Sequence, residues 1–177
     1  MGGNTRLNKL VWDELNQAKS WEQYISEYTG REMDWRNYYN IASIVLSITG
    51  STTWTLWKVL DIDWMNYVTP VLFVLTATSQ IISAIQTKVV VDESTLKSLS
   101  KLRSMYIEYF NKLEKLYLCV HGNTMNQDDV KKEFFALRET VYPIEELKDS
   151  LNIRELKNVS KKVKIHMEKY LKDRWYS

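Results

Sequence analysis

Cys119, His121 and His166 are the side chains whose types could hold a metal ion or carry nucleophilic chemistry. Two closely spaced ligands and one remote histidine make an incomplete tetrahedral set, and no second cysteine completes it. A buried cysteine near a helix end is the better account. The glycines are isolated or terminal, so no loop cradles phosphate, and no nucleophile elbow or zinc-binding helix motif appears. No catalytic residue, cofactor or metal is therefore expected. The single cysteine also excludes an internal disulfide and fits a reducing interior.

Hydroxyl and amide side chains are the other polar chemistry, and they are ordered. Asn40, Ser43, Ser47 and Ser51 recur every three or four residues. Thr76, Gln80, Ser83 and Thr87 do the same. On helices each set forms one polar stripe. No ionisable residue accompanies them, which leaves no proton relay or fixed counter-charge. Such stripes either pack helices closely, with hydroxyls bonding across, or line a wet pore between several copies. Packing is the commoner use, and two helices alone cannot enclose a pore.

The elements that carry these stripes are two long uncharged stretches. NYYNIASIVLSITGSTTWTLW covers 37–57, and WMNYVTPVLFVLTATSQIISAIQT covers 64–87, with KVLDID between them. As helices rising 1.5 Å per residue, each reaches roughly 30 Å or more, the thickness of a bilayer's hydrocarbon core. So short a connection makes them antiparallel neighbours. The first is a marginal span. Its six strong inserters, at about −0.3 to −0.6 kcal/mol each, sum to roughly −3 kcal/mol against seven hydroxyls. Back-bonding of Ser and Thr to helix carbonyls softens that cost. The second stretch is richer in aliphatic residues and inserts more readily.

Flanking residues support a membrane hairpin. Trp35, Tyr38 and Tyr39 open the first stretch, Trp54 and Trp57 close it, and Trp64 and Tyr67 open the second. Amphipathic rings favour the headgroup level. Lys19, Arg31 and Arg36 precede the hairpin, and Lys88, Lys97, Lys101 and Arg103 follow it. The turn holds Lys58 against Asp61 and Asp63. That asymmetry predicts both termini on the cytoplasmic side. Mean hydropathy over the chain is −0.36 because the charged remainder outweighs the two stretches. The first 36 residues are charged throughout, so no cleavable signal is read. MGGNTR has Arg6 where a myristoylation signal wants Ser or Thr.

The remainder reads as helical, with few Gly and Pro and no strand alternation. Residues 5–28 give an amphipathic helix with Leu7, Val11, Leu15, Ala18, Trp21, Ile25 and Tyr28 on one face and a stop at Thr29-Gly30. Residues 94–120 carry the near-heptad Leu99, Leu102, Tyr106, Phe110, Leu113, Leu116 and Val120, broken by His121-Gly122-Asn123. Residues 128–150 form a further stripe in which Pro143 kinks or ends the helix. A last segment spans 153–174. The apolar stripes suit either self-association or an intramolecular bundle. The last segment is basic, with Arg154, Lys157, Lys161, Lys162, Lys164, Lys169, Lys172 and Arg174. It suits an anionic headgroup layer, an anionic ligand, or simple solvation. A net charge of +2 gives no global pointer to nucleic acid.

This order of features resembles the SLATT family, two-transmembrane domains found beside nucleotide-synthesising or nucleotide-sensing genes in bacterial conflict systems. REMDWRNYYN leads into SIVLSITGSTT, then a short turn, a span ending SQIISAIQT, and the long helix KSLSKLRSMYIEYFNKLEKLYL. The similarity covers roughly 7–118 and is one of layout. It implies an effector that oligomerises in the inner membrane and permeabilises it when phage infection is sensed, so that cell death or arrest limits spread. The family carries no catalytic residues. This chain shows no recognisable sensor domain, so a nucleotide second messenger or a sensor partner protein would act on the helical cytoplasmic portion.

The sequence is therefore read as all-α. Residues 1–36 form a cytoplasmic amphipathic helix and junction, 37–87 a two-transmembrane hairpin, and 88–177 a cytoplasmic helical region. The partners are membrane lipid and further copies of the chain. Two alternatives stay open: a holin-like phage lysis protein, and a soluble helical interaction module with the hairpin as its core.

Overall fold

The computed structural model describes residues 2–60, 68, 70–71, 73–78, 80–81 and 91–175. Within them the chain is all-α and contains no strand. Helix α1 runs Gly2–Leu60, α2 Glu93–His121, α3 Gln127–Glu139, α4 Tyr142–Ser150 and α5 Lys157–Trp175. Residues 70–71, 73–78 and 80–81 are helical too. The chain divides into two compact units, Met1–Thr29 with Glu93–Ser177, and Gly30–Asp92. α1 contributes to both.

The first unit is a helical bundle built on the predicted stripes. Leu7, Val11, Leu15, Ala18 and Ile25 of α1 join Leu99, Leu102, Tyr106, Phe110, Leu113, Leu116 and Val120 of α2 in one core. Val130 and Phe134 of α3 and Ile144 of α4 complete it. Val159, Val163 and Met167 of α5 pack around Tyr24 as a second cluster. These stripes bury one another within the chain, which decides for the intramolecular bundle over stripes left open for self-association. At about 1.5–3 kcal/mol per fully buried aliphatic side chain, this burial is the main force holding the bundle.

Two boundaries, at Gly30 and before Lys157, differ from expectation, while the break expected at Pro143 is present. α1 does not stop at Thr29-Gly30 but continues through REMDWR. An isolated glycine costs a helix only about 1 kcal/mol, and no proline follows it. The segment 128–150 is two helices, because Pro143 sits in the first turn of α4, where its missing N–H costs nothing. α5 begins at Lys157, not 153. Asn152 adopts the left-handed conformation at φ 44°, and the chain reaches α5 through an irregular turn. The break after α2 uses the same device. Asn123 takes φ 52°, and the Thr124 N–H donates to the Cys119 carbonyl at 3.0 Å.

Candidate functional site

Among its described residues the second unit exposes many of its apolar side chains. Along α1, Tyr38, Ile41, Ile44, Val45 and Ile48 recur at spacings of three, one or four residues and occupy one side. Ile41, Ile44, Val45 and Ile48 are 61, 59, 56 and 62% exposed. Tyr39, Asn40 and Ser43 lie on the opposite side and are half-buried. Further along the unit, Val71, Phe73, Val74, Leu75 and Ile81 are exposed, whereas Thr76 and Ala77 are half-buried. The Thr78 hydroxyl donates to the Val74 carbonyl at 2.7 Å, which satisfies it within its own helix. In the first unit the stripe residues Leu15, Leu99, Leu102, Leu113 and Val120 are buried instead.

The predicted polar stripes are thus partly placed. Asn40, Ser43 and Thr76 share the covered character expected of a packing or lining face. Gln80 does not: its side chain is exposed, so the second stripe is shorter than its spacing predicts. Ser47 and Ser51 fall in the register of Asn40 and Ser43 on α1, with side chains outside the described set. Ser83 and Thr87 lie outside the described residues. Of the interfacial aromatics, Trp35 and Tyr38 are exposed and Tyr39 is half-buried. The side chains of Trp54 and Trp57, and all of Trp64 and Tyr67, lie outside the described set. Among the described residues no helix is long and apolar enough to cross a membrane. In α1 the hydroxyls dilute the stretch 37–57, and most of 64–87 lies outside the description.

The first unit adds polar links that spacing did not reveal. Glu22 is 5% exposed, and it bridges Lys19 at 2.8 Å and Arg103 of α2 at 3.1 Å. Lys19 also stands 5.1 Å above the Phe110 ring. The Tyr109 hydroxyl donates to Glu14 at 3.0 Å, and the Tyr106 hydroxyl to Glu145 at 2.9 Å. Burial pushes both phenols well above their ordinary range. The Glu145 hydrogen bond then adds most at Tyr106, and the Glu14 charge adds most at Tyr109. An open groove of about 640 Å³ runs beside Trp21, Tyr24, Ile153, Val163, Lys164 and Met167, also unforeseen.

The basic segment is sorted by its surroundings. Lys162 reaches Glu27 at 3.4 Å and Arg174 reaches Glu114 at 2.8 Å. Among the described residues no carboxylate comes within ion-pair distance of Arg154, Lys157, Lys161, Lys164, Lys169 or Lys172, all exposed. Cys119 is half-buried rather than buried, because it sits beside the main α2 stripe. It does not meet the two histidines. His121 stacks on Tyr117 with centroids 5.8 Å apart, and His166 faces Glu27 at 3.8 Å. Among the described residues no group of histidine, cysteine and carboxylate side chains is placed to hold a metal. No family model, curated protein or solved structure matches this chain.

Proposed function

We propose that this chain is a two-span helical effector of the bacterial inner membrane that oligomerises and permeabilises it, as the SLATT resemblance implies for anti-phage defence. One observation carries the reading: on α1 Ile41, Ile44, Val45 and Ile48 are exposed while Asn40 and Ser43 are half-buried. In water each exposed isoleucine or valine forgoes about 1.5–3 kcal/mol of burial. In hydrocarbon that penalty vanishes, and a covered Ser43 or Thr76 permits close helix approach or a hydrated lining. The exposed Trp35 and Tyr38 at the approach suit the headgroup layer. Both termini then lie on the cytoplasmic side. By the same resemblance, the trigger is a nucleotide second messenger or a sensor partner protein acting on the helical portion. Dye release from vesicles holding the full chain tests permeabilisation. Release that rises with oligomer content is expected. Verified oligomers that release nothing under any candidate trigger would contradict it.

A second reading is favoured by the dilution of the first stretch with hydroxyls. There the chain is a helical interaction module, and a second copy covers Ile41, Ile44, Val45 and Ile48. Membrane fractionation separates the two.

A further inference from the structure

We infer that the outward face of α5 is a docking surface for an anionic lipid leaflet. Burial of Val159, Val163 and Met167 fixes which side of α5 faces the bundle. The side away from it carries Lys157, Lys161, Lys169 and Lys172, all exposed, with Glu168 as the acidic residue among them and exposed Lys164 at its edge, beside the groove lined by Trp21 and Tyr24. Of the other cations on α5, Lys162 pairs with Glu27 and Arg174 with Glu114, so, among the described residues, the cations of α5 with no carboxylate within ion-pair distance lie away from the buried stripe. The segment 154–174 holds eight of the chain's 24 Lys and Arg but three of its 22 Asp and Glu, which leaves the rest of the chain net acidic.

Charge on one exposed face fits a flat sheet of negative headgroups. Ile165 stands among these lysines, 55% exposed, and offers an apolar contact at headgroup depth. The acidic remainder would repel a nucleic acid that extends beyond this face, so a flat lipid leaflet is favoured. The inference rests on the membrane reading only in that insertion of the second unit would hold the chain at a lipid surface.

The test places a polarity-sensitive fluorophore on I165C in a C119S background of the full chain. It is mixed with vesicles of phosphatidylcholine, alone or with phosphatidylglycerol. Blue-shifted emission is expected only with phosphatidylglycerol, and added salt should reverse it. Each lysine near such a surface contributes about fivefold to partitioning, so K157Q/K161Q/K164Q should weaken the response on the order of a hundredfold. Emission indifferent to vesicle charge would overturn the inference, as would a shift produced by RNA and not by anionic vesicles. Alkaline carbonate extraction of the same vesicles keeps the two proposals apart. A chain released by carbonate that still shows the salt-sensitive shift loses the membrane-span reading and keeps this one.

Discussion

Tyr24 of α1 fastens the turn before α5 through Arg154. Its hydroxyl donates to the Arg154 carbonyl at 2.8 Å, and the same oxygen accepts the Leu156 N–H at 2.9 Å. The ring itself is buried among Val159, Val163 and Met167. One side chain thus satisfies two backbone groups of an irregular segment and centres the cluster that seats α5.

Y24F should therefore keep the packing and lose both bonds, at a cost of about 1–3 kcal/mol. Limited proteolysis should then cut between Leu151 and Leu156 earlier than in the parent. Unchanged protection of that turn would show the hydroxyl to be dispensable.

Glu22 ties α1 to α2 by accepting from Lys19 and Arg103 while almost wholly buried. E22Q retains the shape and removes the charge that both cations face. A loss of about 1–3 kcal/mol is expected in chemical denaturation of the first unit. R103Q should cost less, because Arg103 is half exposed and its side chain can be hydrated. A larger loss in R103Q than in E22Q would reverse this account.

Tyr106 and Tyr109 should contribute to the loss of stability at alkaline pH. Their folded phenols titrate above the ordinary value near 10, chiefly because they are buried. A raised pKa means that the unfolded chain releases these protons first. The stability they supply is fully present below about pH 10 and is lost as pH rises through the folded values. A Y106F/Y109F variant should be less stable at neutral pH and show a shallower decline above pH 10. A decline as steep as the parent's would place the titrating groups elsewhere.

Much of this fold was legible because each helix of the first unit repeats an apolar side at spacings of three and four. Leu99 to Val120 needed only counting. Periodicity shows which face is buried and is silent on what buries it. Nothing in the spacing links Tyr24 to Arg154, 130 residues away, or Glu22 to Arg103. Gly30 misled for a related reason: a glycine after a threonine reads as a stop, yet the residues beyond it sustain the helix. In the second unit, spacing located Asn40, Ser43 and Thr76 on covered positions but overran at Gln80, which is exposed. The unpaired lysines of α5 could be told from Lys162 and Arg174 only once Glu27 and Glu114 had been placed.

The continuity of α1 has its own test. Gly30 lies inside a helix, and an added methyl there would meet no atom within 4 Å. G30A should stabilise the helix by about 0.5–1 kcal/mol. A destabilised variant would indicate that the chain bends at the position where a stop was first read.

The two sides of α1 between Tyr38 and Ile48 carry the central claim, that the exposed apolar side meets lipid and the covered polar side meets another helix. I44K/V45K should impair insertion, since a lysine at a span's centre costs about 2.5–3.5 kcal/mol. S43L should insert normally and fail in assembly or dye release. The most direct measurement is alkaline carbonate extraction of membranes carrying the parent, I44K/V45K and S43L chains. The account predicts that the parent and S43L stay in the membrane pellet while I44K/V45K is depleted from it. A parent chain recovered in the supernatant would contradict the account.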